Sequence, residues 1–68
     1  MWNYEIAETD LGWLIRKNKE IDGVKVVLYW NGKRWDNRRA CAKVYWFKDE
    51  ALSSFIIAKK IWKDGNEQ

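Results

Sequence analysis

The chain contains no histidine and a single cysteine, and these two scarcities remove most of the familiar chemistry at the outset. Without histidine there is no ordinary acid–base group titrating near neutral pH, and no partner for a Ser/His or Cys/His nucleophile. One cysteine and no histidine cannot supply the usual ligand set of a structural zinc site, and a lone thiol cannot form a disulfide within the chain. Cys41 has no neighbouring base and reads as an ordinary half-buried strand residue. Gly12, Gly23, Gly32 and Gly65 are isolated turn glycines, so no phosphate-cradling loop is present. The carboxylates Glu5, Glu8, Asp10, Glu20 and Asp22 are scattered over turns and strand ends, without paired-carboxylate or metal-binding spacing. Ser53 and Ser54 have no base near them in sequence. The expectation is a chain with no catalytic residues, no cofactor, no metal and no small-molecule substrate.

No apolar run approaches the roughly 20 residues that span a bilayer. The start, Met1-Trp2-Asn3-Tyr4-Glu5, lacks the basic and apolar segments of a signal peptide. With a single free thiol, these features point to the cytoplasm.

What is abundant is aromatic. Six Trp, three Tyr and two Phe occur in 68 residues. A chain this short buries only about 60% of its unfolded surface, so its stability margin is thin. Each buried aromatic removes roughly 150–250 Å² from water, which is how so small a core can hold.

Hydrophobic periodicity organises the sequence. Trp2, Tyr4 and Ile6 alternate with Asn3, Glu5 and Ala7, the pattern of a half-buried strand. Thr9-Asp10-Leu11-Gly12 reads as a turn, and a second strand runs from Trp13 to about Lys17. Asn18 to Gly23 is polar and ends in a turn signal, Asp22-Gly23. Val24 to Trp30 gives the clearest strand, and Asn31-Gly32 after it favours a type I′ hairpin turn into a short strand from Lys33 to Trp35. Asp36 to Arg39 reads as a loop. Cys41 to Phe47 alternates again and predicts a further strand.

The period then changes. Asp49 to Trp62 predicts a helix with Ala51, Phe55, Ala58 and Trp62 on one face and Leu52 beside them. Acids open it and lysines close it, as the helix dipole favours, and Gly65 stops it. Residues 1–64 thus read as one α+β domain, an antiparallel β-meander of four to five short strands covered by one C-terminal α-helix. Residues 65–68 form a fraying tail.

Trp35, then Ala42-Lys43-Val44-Tyr45-Trp46-Phe47, then Lys48-Asp49-Glu50-Ala51-Leu52 form a further pattern. An alanine-led strand runs into an aromatic, a polar cap and an acidic-Glu-Ala helix start. This resembles small uncharacterised proteins of bacteriophages and mobile elements. The resemblance implies a fold and a genomic setting rather than an activity.

Two surfaces compete for a function. Residues 1–23 carry a net charge of −2, whereas residues 31–48 carry +5. In the basic segment Lys33, Arg34, Arg38, Arg39 and Lys43 could hold phosphates while Trp35 stacks on a base. The other surface is apolar. Trp13, Trp30, Trp46 and Ile57, with Ile56 beside it, are candidates for an exposed patch that contacts a protein partner or a second copy of the chain. The protein reading is preferred, with nucleic acid as the alternative.

Overall fold

The structure is a computed structural model, and it describes residues 1–61. Four antiparallel strands follow one another in a sheet of order β1-β2-β3-β4: β1 (Asn3–Thr9), β2 (Gly12–Ile21), β3 (Val24–Trp30) and β4 (Trp35–Asp36). A single helix, α1 (Lys48–Lys60), packs over β1 and β2. The α+β meander with a C-terminal helix expected from sequence is the observed architecture.

Register follows from the pleat. Ile6 lies opposite Ile15, Tyr4 opposite Lys17, and Lys17 opposite Leu28. Because side chains alternate in direction, Tyr4, Ile6, Ile15, Lys17, Leu28, Trp30 and Trp35 share the face beneath α1. Ala51 and Ala58 are fully buried against that face, and Phe55 and Ile61 pack beside them. The small alanine side chains let the helix approach closely enough for the large rings below to fill the layer.

Trp35 is the hub of the core. It is 0% exposed, and its ring meets Trp30 edge-on at 5.5 Å and Tyr4 at 5.9 Å. Its indole Nε1–H donates to the carbonyls of Ile61 (2.7 Å) and Ala58 (3.2 Å). The last carbonyls of a helix lack intrahelical donors, so a sheet residue here caps the helix that covers it. Lys17 also lies fully buried in this layer, its ammonium 4.5 Å from the centres of both the Trp2 and Trp35 rings. A cation over an aromatic face is attracted by the ring quadrupole.

The turns redistribute the expected signals. The type I′ geometry falls at Asp22-Gly23, with φ of 51° and 80°, closing the Ile21–Val24 pair. β2 therefore continues through Asn18–Ile21 instead of stopping at Lys17. Asn31-Gly32 instead opens a four-residue loop, 31–34. The Asn31 Oδ1 accepts the N–H groups of Lys33 and Arg34, both at 2.9 Å, which replaces a two-residue hairpin turn with an Asx-type turn. The strand expected at Lys33–Trp35 is accordingly Trp35–Asp36.

Cys41 to Phe47 is not a strand. Arg39–Cys41 forms a 3₁₀ turn, which places the half-buried Cys41 in a helical turn, and the segment meets the sheet backbone through the Tyr45 bridge to Trp13 and the Lys43 N–H donated to the Trp30 carbonyl. The reason is the space available. β3 departs beyond Trp30, leaving one stretch of β2 open, where Trp13 and Tyr45 exchange N–H···O bonds of 2.7 Å each way. Gly12 permits this close approach, because a Cβ at its position would collide with the Tyr45 carbonyl. Trp46 and Phe47 then both lie exposed, which breaks the alternation.

At the helix start, the Glu50 carboxylate reaches back to the Phe47 N–H at 3.4 Å. Leu52, read as core-adjacent, is exposed. Trp62, Gly65 and the tail 65–68 lie outside the described residues.

Replacing Trp35 by Phe should keep a ring in the core while removing its donor. The carbonyls of Ala58 and Ile61 would lose a partner and a void would open. The expected loss is about 2–4 kcal/mol, measured by urea unfolding. An unchanged midpoint would show that the indole bond contributes nothing.

Candidate interaction surface

Nearly all the exposed functional candidates gather at one end of the molecule. That end contains the β1–β2 turn, the 31–34 loop, the 37–44 segment and the start of α1. The Tyr45–Trp13 bridge pins the segment carrying Val44, Trp46 and Phe47 beside that turn. Trp46 is 80% exposed and Phe47 70%, and Leu11 projects at the turn nearby. Thr9, Asp10, Leu11, Arg39 and Val44 line an open cleft of about 390 Å³ between them.

The four expected apolar anchors separate into two groups. Trp46 and Ile57 are exposed as anticipated. Trp30 is buried at 2% exposure beneath α1, and so belongs to the core. Trp13 is half-buried, with its backbone tied to Tyr45 and the Lys48 ammonium 5.2 Å from its ring centre. Sequence reasoning passed over Phe47 and Leu11. Phe47 was hidden by the alternation that suggested a strand, whereas an isolated leucine within a polar turn was the available signal for Leu11.

The basic set also separates. Trp35, cast as the stacking ring, is fully buried and bonded to the helix, so no base can stack on it. Lys33, Arg34, Arg38, Arg39 and Lys43 are all exposed. They do not share one face. Asp36 and Tyr29 lie on the sheet face opposite α1, and they hold Arg38 and Arg39 there. Arg38 makes two bonds of 3.1 Å to the two Asp36 oxygens, and the Arg39 guanidinium sits 5.9 Å from the Tyr29 ring centre. Lys43 lies instead over the Tyr45 ring, at 5.3 Å.

The titration of Asp36 is clearly altered. The Arg38 guanidinium and backbone N–H bonded to its oxygens lower its pKa to about 2, and Arg38 is raised in turn by the same carboxylate. On the same face Glu5 pairs with Arg16 at 2.7 Å between exposed side chains. Among the described residues, no group of three His, Cys, Asp or Glu is placed to hold a metal ion. No described helix is long and apolar enough to cross a membrane.

Compared with known proteins, the chain matches no family model, no curated protein and no solved structure.

The Asp36 shift predicts a pH dependence. A carboxyl group with a depressed folded pKa stabilises the fold above its ordinary value of 3.8, and that contribution is lost as pH falls towards 2. Asp36→Asn should therefore be less stable than wild type at pH 6. The gap should close between pH 4 and pH 2 in thermal melts followed by circular dichroism. A gap that stays constant through that window would contradict the assignment.

Proposed function

We propose that the chain is a small non-enzymatic binding module that contacts a protein partner through the exposed aromatic end of the domain. Trp46 and Phe47 are the anchors, and Leu11 and Val44 flank them. One observation carries this reading. Trp30, Trp35 and Tyr45 are buried, yet two consecutive aromatic residues are left in water. Aromatic side chains are enriched among interface hot spots, and burying one recovers roughly 4–6 kcal/mol before the costs of association. Ile57, exposed on α1, is the remaining candidate anchor and would extend the contact. The phage or mobile-element setting and a cytoplasmic location belong to the same proposal, supported by the sequence pattern around Trp35 to Leu52 and by the single free thiol.

Nucleic-acid binding is the second reading, favoured by the exposed cations Lys33, Arg34, Arg38, Arg39 and Lys43. Two features weigh against it. Trp35 is enclosed, and Arg38 and Arg39 sit on the opposite side of the sheet from Lys43 and its aromatic neighbour.

Affinity capture with the wild-type chain and with Trp46→Ala/Phe47→Ala tests the first reading. Both positions are exposed, so the variant should melt within a few degrees of wild type. A protein retained by wild type and lost with the variant is the expected result; identical retention by both would overturn the role of these rings. Fluorescence anisotropy of labelled oligonucleotides tests the second. Binding that weakens steeply with salt and is abolished by Arg38→Ala/Arg39→Ala would replace the protein reading with the nucleic-acid one.

A further inference from the structure

A different part of the molecule, the outer edge of β1, points to a partner of known chemistry. β1 is the first strand of the sheet, so one side of it is unpaired. The orientation of its backbone groups can be worked out. Trp13 spends both its N–H and its C=O on Tyr45, on the side of β2 away from β1. Glu8, directly opposite Trp13, therefore belongs to a non-hydrogen-bonded pair and turns its own N–H and C=O outward. By alternation Ile6 and Tyr4 do the same. Among the described residues, no backbone bond reaches these groups from another segment.

Edge strands are ordinarily protected by extreme shortness, charged side chains (lysine above all), proline, a bulge or a covering segment. Of these β1 carries only charge, the carboxylates of Glu5 and Glu8. It is seven residues long, contains no lysine or proline, and pairs with β2 without interruption. By contrast β4, at the other edge, is two residues long.

We propose that β1 pairs antiparallel with β1 of a second copy of this chain, with the two-fold axis at Ile6. That register sets Ile6 against Ile6, Tyr4 against Glu8 and Glu5 against Ala7, and it uses every outward group of Tyr4, Ile6 and Glu8. A two-fold at Glu5 would oppose two carboxylates, and one at Ala7 would place Tyr4 against the turn residue Asp10.

Charge complementarity favours a second copy over any other extended segment. Glu8 points to the helix face of the sheet, as Tyr4 does. The Lys59 ammonium lies 5.6 Å from the Tyr4 ring centre. In the proposed register Glu8 of the second copy meets Tyr4, and so comes beneath Lys59. The symmetry makes this pair twice.

The helix supplies an independent observation. Phe55 and Lys59 both contact Tyr4, so this flank of α1 overhangs β1. At about 100° per residue, Leu52 and Ile56 continue that flank outward, and both are exposed, at 43% and 61%. Lys48 sits over Trp13, opposite Glu8, and Phe55 sits against Tyr4, so Leu52 lies level with Ile6. A two-fold at Ile6 keeps both helices on one face of the continued sheet. With strands about 4.8 Å apart, helices centred between β1 and β2 would run about 10 Å from each other, the usual packing distance. Leu52 and Ile56 of each copy would then face each other across the axis.

Sedimentation velocity at increasing protein concentration, up to about 1 mM, tests the proposal. The expected result is a reversible monomer–dimer equilibrium. Glu8→Lys, which sets a cation beneath Lys59 at two places, should weaken dimerisation at least about tenfold, and Glu8→Lys/Lys59→Glu should restore it. Ile6→Pro removes only an outward N–H, is tolerable on an edge strand, and should give a folded monomer. If the proline variant does not fold, the charge-reversal pair decides alone. A wild-type chain that stays monomeric throughout would overturn the proposal. So would a dimer that is indifferent to Glu8→Lys but dispersed by Trp46→Ala, since it would form through the aromatic end instead. Loss of the β1 dimer would leave the aromatic-end reading standing, because the two surfaces share no residue.

Discussion

The indole N–H of Trp35, shared between the carbonyls of Ala58 and Ile61, is the constraint on which this fold rests. β4 is only two residues long, too short to hold its place by strand pairing alone. Its single inward residue is locked by the helix end above, by Trp30 beside it and by Tyr4 across the layer. The same bond fixes where α1 ends. Sheet and helix thus define each other through one side chain, and the buried Lys17 ammonium over that ring adds an attraction that a purely apolar residue would not provide.

That arrangement explains which parts were legible in sequence. Period two marked β1, β2 and β3 because each has one face under the helix, and period 3.6 with the acid-to-lysine order marked α1. The misreadings share a cause. In Cys41–Phe47 the alternation of large and small residues suggested pairing, yet pairing needs a neighbour with free backbone groups. Beside this segment that neighbour was Trp13, with the Trp30 carbonyl accepting the Lys43 N–H, so one bridge formed and the rest became a turn and a loop. Asn-Gly and Asp-Gly carry similar local preferences, and the register imposed by Trp30 against Trp35 decided that only the second became the tight turn. Lys17 was legible as a strand residue on the core face, but nothing local announces that three rings will accept its charge.

The candidate surfaces were legible in kind and misassigned in part. Eleven aromatics stand in 68 residues, and among the described ones Trp46 and Phe47 are left exposed. Which tryptophans stay inside depends on register, which places Trp30 and Trp35 opposite one another and inward. Trp35 stood within a run of cations and so looked like a stacking ring. Its direction is set by the pleat rather than by its charged neighbours, and those neighbours point elsewhere. Arg38 turns back to Asp36, and Arg39 lies towards Tyr29.

A domain of this size has little capacity to bury more. The helix fills its inward stripe with alanine where the rings beneath need room, and this leaves Leu52, Ile56 and Ile57 on its flanks. Larger residues at 51 and 58 would lift α1 away from Trp35 and break the indole bond, so apolar surface that the core could use is displaced sideways. Leu52 and Ile56 continue the flank that overhangs β1, beside an unpaired strand edge, whereas Ile57 lies on another side of the helix. Close packing at the centre and exposed apolar residues at the margins therefore have one origin, the thin layer that Trp35 and two alanines define. A second copy at the β1 edge would cover the flank that carries Leu52 and Ile56 without disturbing that layer.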